Sequence, residues 1–210
     1  SVVAPLRAPP SGPPRVAALG ERDAASRPAD WAGLLAWSAT PAREWLHVSN
    51  LAPERLRELA GAVGMPPVVV EAGLHESSYP RLDAGPKWTA LTLSMPSGDD
   101  VQRRDPVMLL VSRDDLLSMA LQPLDLQQAP AGDPAIPWGP RCALDIVRRV
   151  LARNEDLAGR LEREVRALEE IPAAESATGF FEGTFRLKRA LSMARGDLWR
   201  LRSLLGMLSD

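Results

Sequence analysis

Two rhythms of apolar residues divide the chain. Up to about residue 126 they come in short bursts bounded by Pro, Gly and Asp, and after residue 140 they settle into steps of three and four. Trp31-Ala-Gly-Leu34-Leu35-Ala-Trp37 is a brief apolar run that predicts a strand, and Glu44 to Val48 predicts another. Ser49 or Asn50 then offers a cap ahead of Pro53, and Leu56, Leu59, Ala60 and Val63 recur at helical spacing until Gly64. Pro66 and Pro67 open a second, short helix carrying Val68, Val69, Val70 and Leu74, against the poor helix propensity of its β-branched run. Alternation from Lys87 to Met95 predicts a strand, Ser97 to Asp100 a turn, and the apolar Val107 to Val111 a buried strand. Arg113-Asp114-Asp115 then reads as a tight turn, with Leu116 to Leu121 as the hairpin partner.

The second rhythm is a heptad. Leu144, Val147, Leu151, Asn154, Ala158, Leu161, Val165 and Leu168 form one seam, which Pro172 interrupts. Leu187, Leu191, Ala194, Leu198, Leu201, Leu205 and Leu208 form another. Two such helices can zip together as a hairpin, and the same seam can serve oligomerisation. The heptad is still in phase at Asp210 with no terminator, so the helix is expected to continue beyond it. Ahead of the strands, Pro5, Pro9, Pro10, Pro13 and Pro14 argue against helix and sheet. The expected organisation is a Pro-rich extension or linker at 1–30, an α/β domain at 31–126, a connector at 127–140 and long helices at 141–210.

Composition narrows the function. Lys and Arg number 25 against 27 Asp and Glu, a net charge of −2, which weighs against electrostatic capture of nucleic acid. A lone cysteine, Cys142, excludes an intrachain disulfide framework, and two histidines, His47 and His75, leave little for a histidine metal centre. No apolar run approaches the ~18 residues of a membrane span, and Ser1 to Leu6 is too short for a signal peptide. No nucleotide-binding glycine loop, nucleophile elbow or H-E-x-x-H pattern is present, so no enzyme is expected.

Three segments, in order, resemble the CorA-type divalent metal transporters and their zinc branch, the ZntB proteins. Trp45-Leu46-His47-Val48 stands at the place of the family's Trp-Ile-Asp-Leu strand. Gly64-Met65-Pro66-Pro67 through Glu71 to Pro80-Arg81-Leu82-Asp83 looks like its G-x-H-P-L-x-x-E-D … R-P-K/R-V-E stretch. Leu187-Lys188-Arg189-Ala190-Leu191 through Arg195, Leu198-Trp199 and Leu201-Arg202 to Leu208 is similar to the start of its long stalk helix. The resemblance implies an α/β/α layered domain around a mixed sheet, then a helical hairpin and a stalk helix. It also implies a homopentamer on the cytoplasmic face of the inner or plasma membrane, anchored by transmembrane helices beyond Asp210. Mg2+ or Zn2+ would be the transported or regulatory ion, with no other cofactor required. The family's Glu-Asp pair, whose Asp contributes to a regulatory site between subunits in magnesium members, reads Glu71-Ala72 here. His47 replaces the usual Asp, and Glu76-Ser77-Ser78-Tyr79-Pro80-Arg81 looks closer to the zinc branch's E-S-S-R-P-R.

Mg2+ takes oxygen ligands and gives up water reluctantly, so a sensor needs only a few carboxylates facing a wet gap. The candidates are Glu71 and Asp83, with Glu155, Asp156, Glu162, Glu164, Glu169 and Glu170 on the first long helix, and His75 as a zinc ligand. For any one helix carboxylate, the ordinary reading is a solvated face partnered by Arg160, Arg163 or Arg166. His47 is expected to be a satisfied core residue and Cys142 a packing residue. The basic face of Arg186, Lys188, Arg189, Arg195, Arg200 and Arg202, interrupted by Asp197, is expected to pair with the acidic first helix. The alternative to a transporter domain is a coiled-coil interaction scaffold with no role in transport.

Overall fold

Period-two burial builds the centre of the molecule. The computed structural model describes residues 13–39, 42–75, 78–85, 87–98, 100–121, 123, 124, 130, 133–170 and 177–207. Its strands are β1 (Arg15–Gly20), β2 (Arg27–Ala29), β3 (Glu44–Ser49), β4 (Arg81–Ala84), β5 (Thr89–Pro96), β6 (Arg104–Val111) and β7 (Leu116–Ala120). They form one sheet in the order β2-β1-β3-β7-β6-β5-β4. Only β3 and β7 run parallel, through the register Trp45 to Leu116 and Ser49 to Ala120; the other neighbours are antiparallel.

Alternate residues feed two cores, as a sheet covered on both sides requires. Leu46, Val48, Met108, Leu110, Leu117 and Met119 meet α1 (Trp31–Ala39), α2 (Pro53–Val63) and α3 (Pro67–Gly73) on one face. Trp45, Leu91, Leu93, Val107, Leu109 and Leu116 meet α4 (Trp138–Glu169) on the other. This is the α/β/α layering expected, followed by a second long helix, α5 (Ala177–Met207). Each large aliphatic side chain fully buried here stabilises the fold by roughly 1.5–3 kcal/mol.

Several expectations are corrected. Residues 31–37 are helical, because Asp30 caps them: the Gly33 N–H donates to its Oδ1 at 2.6 Å and the Leu34 N–H to its carbonyl at 3.1 Å. An all-apolar run hides its helical period, and the cap was the legible signal. Part of the supposed linker, Val16 to Leu19, lies inside the sheet between β2 and β3, and Pro28 is confined to the edge strand β2. Neither Ser49 nor Asn50 caps α2. Ala52 holds the cap position with no side-chain hydrogen bond, and Pro53 starts the helix. Asn50 instead turns the chain with φ 60° and donates from Nδ2 to the Pro13 carbonyl at 2.9 Å. The strand β6 extends back through Pro106, which pairs only with Ser94 because the β7 pairing begins at Val107. The helix α4 begins at Trp138, within the expected connector. Pro172, Glu76, Ser77 and Leu208 lie outside the described residues.

The heptads are also used differently. The first half of α4 faces the sheet through Cys142, Ile146, Val147 and Val150, leaving Leu144 and Leu151 exposed. Its second half joins α5 through Leu157 and Leu161 against Leu187, Ala190 and Ala194. A helix that must serve a flat sheet and then a rod cannot keep one stripe for both.

Candidate functional site

The part of the molecule with the most distinctive chemistry is the junction where the hairpin leaves the sheet. Val101, in the β5–β6 turn, is wedged among Leu157, Leu161, Leu187, Ala190 and Ala194, so a loop residue completes the core of the hairpin. Beside it, Arg104 at the start of β6 donates from Nε to Oδ2 of Asp197 on α5 at 3.1 Å. Their side chains are only 5% and 15% exposed, which distinguishes the pair from the exposed ion pairs of the surface. The Arg104 Nη1 also donates to the carbonyls of Val101 and Arg103 at 3.0 and 2.9 Å, and the Ser94 hydroxyl donates to Asp197 at 3.4 Å. Desolvation pushes the Asp197 carboxyl above its ordinary value of 3.8, and the Arg104 cation opposes that rise. Farther out, Arg160 donates to the Gly98 carbonyl at 2.5 Å and Gln102 to the Arg186 carbonyl at 3.5 Å. The turn thus contacts both helices at once.

At the other end of the sheet, Gly139 brings α4 against the β6–β7 turn. A Cβ there would meet the carbonyls of Ser112 and Asp115, the latter at 2.5 Å. Asp115, 1% exposed, accepts the Ala42 and Glu44 N–H groups at 3.2 Å each and fixes the start of β3.

His47 is the buried core residue that the sequence suggested, with both ring nitrogens engaged. The Leu124 N–H donates to Nε2 at 3.0 Å, so Nδ1 carries the proton and donates to the Ser118 hydroxyl at 3.0 Å. The Trp45 indole donates to the same hydroxyl at 2.8 Å, and Ser118 donates onward to the Leu46 carbonyl at 3.3 Å. Burial lowers the imidazole pKa from 6.5 to about 4, only partly offset by its bond to Ser118. A neutral, doubly bonded imidazole ties β3 to β7 and is not available as a metal ligand. Cys142 is likewise buried, and burial pushes its thiol far above the ordinary range.

The metal candidates do not converge within one chain. Among the described residues, no three His, Cys, Asp or Glu side chains are placed to hold a metal ion. Glu71 on α3 pairs with Arg57 at 3.1 Å, and Asp83 on β4 pairs with Arg81 at 2.9 Å. His75 follows α3. Glu155, Glu162 and Glu169 recur every seven residues along an outer face of α4. The expected pairing of the acidic and basic helices is realised by Glu164 and Arg186 at 3.2 Å, while Arg200 lies 4.8 Å over the Tyr79 ring.

This architecture has relatives. The sequence profile described as "CorA-like Mg2+ transporter protein" matches residues 42–210. The chain belongs to that family. Its fold is similar to the soluble domain of CorA from Methanocaldococcus jannaschii, with a TM-score of 0.67 at 18% identity over 93% of this chain and 79% of that one. The complete CorA magnesium transporter of the same organism aligns with a TM-score of 0.67 at 15% identity; the match covers 94% of this CorA-like chain and 63% of the transporter's. The ZntB cytoplasmic domain from Vibrio parahaemolyticus gives 0.57 at 13% identity over 93% and 81%. No curated protein matches the chain.

The sequence pointed to the rods and missed their anchor. Asp197 stood out as the lone acid between Arg186 and Arg202 on a basic helix, which was a usable sign of a specific partner. Arg104 carried no such sign, because a strand-end arginine is ordinarily solvated.

Proposed function

We propose that this CorA-like chain is the cytosolic part of a divalent cation transporter or channel for Mg2+ or Zn2+, acting in assembly and ion-linked gating. The observation that carries the gating role is the junction: a rod of two helices, 32 and 31 residues long, is clasped to the α/β body at the β5–β6 turn by Val101 and by the Arg104–Asp197 pair. A rod held at a defined clasp can pass a small shift of the body to a distant place, because packed contacts reorganise between discrete arrangements.

Glu71, Asp83 and His75 on the body, with Glu155, Glu162 and Glu169 on the rod, are the residues we assign to cation binding between copies. Carboxylates brought together across a subunit boundary repel, a divalent cation offsets that repulsion, and its loss frees another packing. Ala72 removes one oxygen ligand from the arrangement implied for magnesium members, so the neighbouring Glu71 and Asp83 carry more of that role. The assembly is the five-copy ring that the resemblance implies, on the cytoplasmic side of the membrane. Among the described residues no helix is long and apolar enough to cross a membrane. The ion path is assigned to segments the resemblance places after Asp210.

Titration calorimetry of the assembled protein with Mg2+ and with Zn2+ tests the reading. Saturable binding at or below millimolar concentration, weakened by combining Glu71→Gln with Asp83→Asn, is expected. An assembly that takes up neither ion removes the sensing role and leaves the scaffold reading.

A further inference from the structure

The groove between α4 and α5 has a polar gap in an apolar floor. It encloses about 450 Å3, open along one side, and is lined by Leu157, Ala158, Leu161, Val165 and Leu198 together with Asn154. Asn154 is 7% exposed. Its Nδ2 donates to the Val150 carbonyl at 2.8 Å, and its buried Oδ1 accepts nothing among the described residues. A buried carbonyl oxygen without a donor is costly, and a single Asn among apolar heptad positions singles out one partner.

The same hairpin carries a row of knobs that stay exposed in their own copy. Phe185 and Trp199 on α5 are 69% and 68% exposed. They stand two heptads apart, so they share one face of α5. On a heptad wheel whose buried side is Leu187, Ala190, Ala194 and Leu201, that face points away from α4, roughly a quarter turn from the mouth of the groove. The antiparallel register fixes their heights. The Leu168 side chain fills the space beside Gly183, and Glu164 pairs with Arg186 at 3.2 Å. By that register Trp199 sits about 3–5 Å along the axis from Asn154, less than one helical turn, and Phe185 is level with Val165.

We propose that in the five-copy ring Trp199 of each copy enters the groove of the next, its indole N–H donating to the Asn154 Oδ1, while Phe185 covers Val165. The inference rests on the ring assigned above and names the contact that closes it. Rotation about an axis parallel to the rods leaves every height unchanged, so a knob can reach a gap only at its own level, and these two share one. The contact is heterologous, knob of one copy on groove of the next, and it closes on itself when each copy turns by about 72°. The quarter turn between knob row and groove departs from that by no more than the ~20° scatter of helix packing angles. An indole suits the gap because it brings an apolar plate to the leucines of the groove and one N–H that needs an acceptor. The carboxylates assigned to cation binding take no part in this contact.

Cross-linking of the assembled protein tests it. Asn154→Cys and Trp199→Cys are combined in one chain and treated with a short bis-maleimide. Cys142 is buried, and burial keeps its thiol protonated, so it stays silent. The double variant is expected to give a ladder of covalent species reaching five copies, and either single variant no more than pairs. Trp199→Ala, at an exposed position, is expected to weaken assembly at least ~tenfold in sedimentation, with the circular dichroism of the folded chain unchanged. A five-copy assembly that gives no ladder and is indifferent to Trp199→Ala overturns the contact and leaves the ring standing. Covalent species that stop at two copies in the double variant, or a chain that does not assemble at all, overturn the ring and the contact together.

Discussion

Protonating His47 should unfasten β3 from β7. The imidazole is 3% exposed, accepts the Leu124 N–H and donates to Ser118, and its pKa falls from 6.5 to about 4 in the folded chain. Its charged form would turn Nε2 into a second donor facing the Leu124 N–H, in a site closed to bulk solvent. The sign follows from proton counting. Between pH 6.5 and pH 4 the unfolded chain binds a proton that the folded chain refuses, so stability is complete above pH 6.5 and is lost as the pH falls towards 4. At about 1.4 kcal/mol per pH unit, the loss from this group is on the order of 2 kcal/mol by pH 5 and about 3 kcal/mol by pH 4. Urea unfolding followed by circular dichroism at pH 7, 6 and 5 measures it, with His47→Gln as the comparison, since Gln keeps a donor and an acceptor but does not titrate. The wild-type stability should fall by about 1 kcal/mol more than the variant's between pH 6 and pH 5. Parallel slopes for the two proteins would refute the assignment of a neutral, buried imidazole.

Three further outcomes follow from named contacts. Asp197→Asn should cost about 3–5 kcal/mol in chemical unfolding, because it leaves Arg104 buried without a countercharge, and Arg104→Met combined with Asp197→Leu should recover most of that loss. Gly139→Val should destabilise the fold by at least ~3 kcal/mol or shift α4 from its seat, read by thermal unfolding, because its side chain would collide with the Ser112 and Asp115 carbonyls. Val101→Ala should cost roughly 2 kcal/mol and raise hydrogen exchange in the outer half of the hairpin before the sheet is affected, since Val101 belongs to the hydrophobic cluster of the hairpin.

The legible parts of the fold were those where one local signal had one structural outcome. Pro53 and Gly64 bracket α2 as start and stop residues do, with Gly64 at φ 72°, and the alternation at 89–96 became β5. The layered class and the hairpin were likewise readable from the two rhythms and the resemblance. What failed were positions where an overlooked cap or the tertiary context chose between equal local options. Residues 31–37 are apolar enough for strand or helix, and Asp30 decided it. Val16 to Leu19 is too short to announce a strand amid prolines, and its partners, β3 on one side and β2 on the other, come from farther along the chain. The heptad seam was visible, but which half of it each helix buries depends on where the sheet ends beneath α4. For the candidate site, acidic residues were easy to name, whereas the clasp of Val101, Arg104 and Asp197 is assembled from a turn, a strand and a helix 93 residues apart at its ion pair. No local pattern encodes such a meeting.

The most direct test of cation-linked coupling is hydrogen exchange of the assembled protein with and without saturating Mg2+ or Zn2+. A bound cation is expected to raise protection at the β5–β6 turn and along residues 187–204 of α5, while α1 exchanges at an unchanged rate. Binding of the ion with no change in exchange anywhere in the hairpin would contradict it.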